Sequence, residues 1–129
     1  MDIEIKSLIA EVDIKIACEI RDYLTSLGHS VYPIVSKGED LLEAALFQQP
    51  NYIITDLYLA GQFDGIEAMA RLGEIFKIPY IFITSFDDYC RLITSYCLEP
   101  VSLISKPIRH DNLVHSVSRV VKECFRELV

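Results

Sequence analysis

Tyr52-Ile53-Ile54-Thr55-Asp56 is a short uncharged run that ends on a carboxylate, and Pro50-Asn51 punctuates the chain just before it. Short apolar runs bounded by turn residues read as strands buried on both faces, the pattern of a parallel sheet. Two later runs repeat the design. Ile78-Pro79-Tyr80-Ile81-Phe82-Ile83 ends on Thr84-Ser85, and Val101-Ser102-Leu103-Ile104-Ser105 ends on Lys106-Pro107. In open parallel sheets ligands bind just beyond the carboxyl ends of the strands. A carboxylate, a hydroxyl and an ammonium delivered there by three strands form a set suited to a phosphoryl group.

Working outward, Ile3 to Ala10 reads as a first strand. Glu11-Val12-Asp13 follows, then a helix to about Leu27 with an apolar stripe at Ile16, Ala17, Ile20, Leu24 and Leu27. Gly28 is a natural helix stop. Ser30 to Val35 reads as a second strand, and Pro33 inside it, lacking a backbone donor, puts it at a sheet edge. Gly38-Glu39-Asp40 opens a helix through about Gln48. Asp64-Gly65-Ile66-Glu67 has capping-box spacing with Asp64 as N-cap, opening a helix to about Phe76. A fourth helix is expected over about Asp87 to Leu98. The last helix begins at Asp111 or Asn112. Five alternations of strand and helix predict an α/β three-layer sandwich with right-handed crossovers. An edge position for the second strand agrees with the flavodoxin-like order 2-1-3-4-5, so the expectation is a five-stranded parallel sheet with five helices.

Composition bounds the function. The 129 residues suit one domain, 1–129, and the 51% apolar and 24% charged content is globular. A net charge of −7 without a basic stripe gives no support for direct nucleic-acid binding. No apolar run reaches the roughly 20 residues of a membrane span, and the charged start is unlike a signal peptide. Cys18, Cys90, Cys97 and Cys124 form no CxxC pair and read as reduced, half-buried thiols of a cytoplasmic protein.

Over essentially its whole length the chain resembles the receiver domain of two-component response regulators. Leu8-Ile9-Ala10-Glu11, Ala17, Arg21-Asp22-Tyr23-Leu24 and Leu27-Gly28 resemble the family's first strand, acidic cluster and first helix. Asp56-Leu57-Tyr58-Leu59 with Asp64-Gly65-Ile66-Glu67-Ala68 looks like the phosphoacceptor segment. Ile78 to Ser85 and Ser105-Lys106-Pro107 look like the other signature strands. The resemblance implies that Asp56 accepts a phosphoryl group from a histidine kinase, a phosphotransfer protein or a small phosphodonor. It implies that Lys106 supplies the cation at the phosphoryl oxygens and Thr84 the switch hydroxyl. It implies Mg²⁺ on Glu11, Asp56 and the backbone carbonyl of Tyr58. A downstream effector or the protein's own output domain would read the switched surface.

Three positions depart from the family pattern. Val12 stands where a second acid usually ligates the metal directly, so weak Mg²⁺ binding is expected. Asp13, one further on, is not at a ligand position in the ungapped register. Leu103 stands where a Tyr or Phe ring often swings inward, so site and surface are expected to couple differently. Tyr58 and Phe86, each two residues after a strand-end polar group, are expected to flank the site mouth and slow self-dephosphorylation by excluding water.

The alternative to phosphorylation-dependent signalling is a degenerate receiver that binds a partner without phosphorylation, which Val12 and Leu103 favour. An aspartate-nucleophile phosphatase would want an acid at Tyr58. A flavin carrier would want a Ser/Thr/Gly loop where Glu11-Val12-Asp13 stands. The expectation is therefore not an enzyme. The uncharged Val101 to Ser105 argues against the ionic dimer of some relatives and leaves homodimerisation through an apolar face open. The chain ends soon after its last helix, as a free-standing receiver or an excised domain would.

Overall fold

The computed structural model describes residues 4–85, 96 and 98–126. In chain order they form β1 (Lys6–Ala10), α1 (Ile14–Ser26), β2 (Ser30–Val31), α2 (Gly38–Gln48), β3 (Tyr52–Asp56) and α3 (Gly65–Gly73). β4 (Tyr80–Thr84), β5 (Ser102–Ser105) and α4 (His110–Cys124), the last helix, complete the order. The five strands make one parallel sheet of order β2-β1-β3-β4-β5, as the sequence predicts. The helix expected over about Asp87 to Leu98 lies almost entirely outside the described residues, as do Phe86, Cys90 and Cys97.

Burial on both faces explains the uninterrupted apolar runs. Leu8, Ile53 and Phe82 pack against Leu41 and Ala45 of α2 and Met69 and Leu72 of α3. Their neighbours Ile9, Ile54, Ile81 and Ile83 face the other way, toward Ala17, Ile20 and Leu24 of α1 and Leu113, Val117 and Val120 of α4. Successive strand residues alternate between the two layers, so neither face tolerates charge. Among the described residues no helix is long and apolar enough to cross a membrane.

Several boundaries move for local reasons. β2 is two residues rather than six, because Pro33 has no N–H to give the ladder. Pairing resumes only as a single bridge between Ala10 and Val35. The strand does lie at the edge, as expected. Gly28 ends α1 with φ +88°, a left-handed conformation that favours glycine. α3 stops at Gly73 rather than near Phe76. The last helix starts at His110, earlier than Asp111 or Asn112. Asp111 does not cap it from outside; its carboxylate accepts from Asn112 N–H at 3.0 Å, within the first turn.

Candidate functional site

The carboxyl ends of β1, β3, β4 and β5 deliver the polar groups to one place. Asp56 is the last residue of β3 and sits beside Ile83 of β4. Thr84, the last residue of β4, pairs with Ser105 of β5, and its carbonyl accepts the Lys106 N–H at 2.8 Å. The register alone therefore puts Lys106 next to Thr84 and two strands from Asp56, with β4 between. The Lys106–Pro107 peptide is cis.

The lysine reaches back across the sheet end. Its Nζ lies 2.5 Å from Asp56 Oδ2 and 2.5 Å from Glu11 Oε1. Both Asp56 oxygens are engaged: Oδ2 accepts from Lys106, and Oδ1 accepts from the Tyr58 backbone N–H at 3.1 Å. Glu11 is different. The ammonium touches it in an ionic contact that is poorly directed for a hydrogen bond, so both Glu11 oxygens, fully buried, lack an aligned donor among the described residues. Burial, then the hydrogen-bonding and charge of Asp56, push the Glu11 carboxyl from 4.5 up to about 7, against the opposing pull of Lys106. At Lys106 burial pulls the pKa down, but the two carboxylates outweigh it and the ammonium is held above its usual range. Two acids thus share the Lys106 ammonium in a mostly buried cluster.

The remaining sequence-predicted residues divide. Thr84 is buried at the sheet end with the cluster. Val12 is 56% exposed and offers no oxygen. Asp13 caps α1, accepting from Lys15 N–H at 3.0 Å and Ile16 N–H at 3.4 Å. That use of Asp13 agrees with the ungapped register. Tyr58 is half-exposed, and Leu103, beside Phe82 in register, packs against the α2–α3 side of the core.

The loop after Asp56 is anchored by the Asp64 cap that the sequence predicts, and by two features that sequence reasoning did not single out, the packing at Gly65 and the Glu39 carboxylate. Gly65 must be glycine, because a Cβ there would sit 2.0 Å from the Asp56 carbonyl oxygen. Asp64 caps α3 by accepting the Glu67 N–H at 2.9 Å. The Glu67 carboxylate pairs with Arg71 at 3.0 Å. The Glu39 carboxylate clamps the loop to α2 by accepting the Gln62 N–H at 3.0 and 3.1 Å.

Carboxylate and carbonyl oxygens are the ligands that Mg²⁺ takes. Glu11 and Asp56 offer two carboxylates, and the Glu11 oxygens, without an aligned hydrogen-bond donor among the described residues, are the kind of group a cation would satisfy. Yet among the described residues no cluster of three or more His, Cys, Asp or Glu assembles. The donor set fits a divalent cation, but thinly.

Comparison with known proteins gives one answer throughout. A family model described as the response regulator receiver domain matches residues 8–118. The phyllosphere-induced regulator PhyR of Methylorubrum extorquens is 30% identical over 121 residues, 93% of this chain and 45% of that protein. The sensory transduction protein BceR of Bacillus subtilis is 28% identical over 91% of this chain and 50% of its own length. The chain spans about half the length of the curated relatives it matches. Among solved structures, the signal receiver domain of a modulated diguanylate cyclase from Desulfovibrio desulfuricans is 30% identical. It superposes with a TM-score of 0.83 over 97% of this chain and 99% of that one. PhyR from Brucella abortus, also 30% identical, gives a TM-score of 0.81 over 98% of this chain and 50% of its own. The chain belongs to the response regulator receiver domain family of two-component signal transduction.

Proposed function

We propose that Asp56 is the phosphoacceptor of this domain, with Lys106 and Thr84 as its partners. The observation that carries the reading is the Lys106 ammonium, 2.5 Å from the carboxylates of both Asp56 and Glu11 at the sheet end. An oxygen of the Asp56 carboxylate attacks phosphorus, the bond from phosphorus to the donor nitrogen of a phosphohistidine breaks, and that nitrogen keeps the electron pair and leaves as part of a neutral imidazole whose other ring nitrogen already carries the proton. The product is an acyl phosphate. Transfer of this kind asks the protein for placement and charge neutralisation more than for covalent help. Lys106 already holds a cation beside the acceptor. The Thr84 hydroxyl stands at the same sheet end to donate to a phosphoryl oxygen. Mg²⁺, held by Asp56, the Tyr58 carbonyl and Glu11 directly or through water, would add positive charge at those oxygens. Val12 supplies no ligand, so that binding is weak.

Phosphorylation adds close to two negative charges where two acids already share one cation. The Lys106 contacts must then redistribute, and the change passes to the surface through β4 and β5. The domain is a cytoplasmic signalling module, not an enzyme. Its partners are a histidine kinase or phosphotransfer protein upstream and an effector or its own output domain downstream.

Incubation with acetyl phosphate and Mg²⁺, read by intact mass, tests this. One phosphoryl group should be gained, and none by Asp56→Asn. The exposed, oxygen-free Val12 favours one second reading, a pseudo-receiver that engages its partner unphosphorylated. No mass gain at any Mg²⁺ concentration, with partner binding intact, would select it.

A further inference from the structure

α2 carries its outer face unpaired with any described element. Its inner face is fixed by Leu41 and Ala45 in the core. Its first turn is fixed by Gly38 N–H donating to the Ala60 carbonyl at 3.1 Å and by the Glu39 clamp on Gln62. On the outside, Asp40, Glu43, Ala44, Phe47 and Gln48 line a shallow concavity of about 370 Å³. Phe47 is 85% exposed, the most exposed of the large apolar residues described.

A lone exposed apolar side chain needs no explanation. This one has company that is chemically one-sided. Asp40, Glu43 and Phe47 follow at helical spacing, so two carboxylates and a ring form one stripe. The last turn of α2 holds no basic residue, so no side chain there offsets the partial negative charge of the carbonyls beside Phe47 and Gln48, while Asp40 lies in the first turn at the opposite end of the dipole. The concavity therefore carries two carboxylates and an aromatic wall, with Ala44 and Gln48 uncharged beside them. An arginine satisfies both at once, because its guanidinium pairs with carboxylates and stacks on a ring.

We infer that the outer face of α2 is a docking surface for a basic segment of a partner protein, one whose arginine seats against Phe47 between Asp40 and Glu43. None of the residues lining this surface is among those that engage Asp56, and docking there does not depend on phosphorylation.

The probe is a fluorescent helical peptide of alanine, leucine and arginine, with a twin in which glutamate replaces arginine. Affinity is read by anisotropy and location by amide NMR shifts, on the wild type and on Asp56→Asn. The arginine peptide should bind both proteins, with shifts centred on residues 38–48. Phe47→Ala should weaken it about fivefold or more, the scale of an interface anchor. The pair Asp40→Asn with Glu43→Gln should weaken it and flatten its salt dependence. The Phe47 ring is mostly in solvent, so its loss leaves the fold intact, which a thermal melt verifies. Affinity unchanged in these variants, shifts centred away from α2, or equal binding of the glutamate twin would overturn the inference. So would Phe47-dependent self-association in gel filtration, which would make a second copy the occupant.

Discussion

Replacing Glu11 with Gln should make the domain more stable at mildly alkaline pH while leaving it nearly unchanged in acid. The carboxyl is fully buried, its oxygens lack an aligned donor among the described residues, and its pKa rises from 4.5 to about 7 on folding. A raised pKa means the folded state binds the proton more tightly than the unfolded chain. The stability this contributes is complete below pH 4.5 and is lost as pH rises through about 7. The full difference, at 1.36 kcal/mol per pH unit, is about 3 kcal/mol. Between about pH 5 and about pH 8 the wild type should lose roughly 2 to 3 kcal/mol from this group. Gln carries no charge to desolvate and should lose none of it. His29, whose pKa burial lowers, pushes the other way, since its protonation in acid opposes folding. Comparing wild type with Glu11→Gln at each pH cancels that contribution. Urea denaturation in chelator-containing buffer gives the numbers, and the melting midpoint should differ by roughly 10 °C at the alkaline end. A wild type and variant whose difference is the same at both pH values would refute the claim that Glu11 is a strained buried acid.

Three other substitutions probe the surroundings. Val12→Asp should restore a carboxylate and raise Mg²⁺ affinity by about tenfold or more. NMR or tyrosine fluorescence titration reads it, and a wild type that already binds at ordinary receiver strength would contradict the reading of Val12. Gly65→Ala forces a Cβ to 2.0 Å from the Asp56 carbonyl and should cost roughly 1–3 kcal/mol or more in chemical denaturation; a cost of only a few tenths would show that the loop gives way easily. Asp64→Ala removes the acceptor of the Glu67 N–H and should cost about 1 kcal/mol in the same assay, whereas no loss would mean water replaces the cap without penalty.

The sheet order was legible because Pro33 marks an edge and the other strands are apolar on both faces. The same proline cut β2 short, since a sequence pattern shows where a strand can lie but not how many ladder bonds survive a missing donor. Asp56, Thr84 and Lys106 were legible as strand-end polar groups, and strand register brings them together without further design. What pattern reading did not show was that Lys106 touches Glu11 as well as Asp56, because that depends on the reach of a flexible side chain across the sheet end. Nor did it show Glu39 holding the loop at Gln62, a contact between residues 23 apart that no periodicity encodes. Asp13 is the converse case. It looks like part of an acidic cluster in sequence, and the helix that starts beside it takes its carboxylate as a cap.

The most direct test of the account is to locate the phosphoryl group. The protein is incubated with acetyl phosphate and Mg²⁺, the acyl phosphate is reduced with borohydride, and digested peptides are sequenced by mass spectrometry. Reduction is expected at Asp56, absent in Asp56→Asn and without a second modified residue. Labelling at Glu11 or another acid, with Asp56 unmodified, would contradict it.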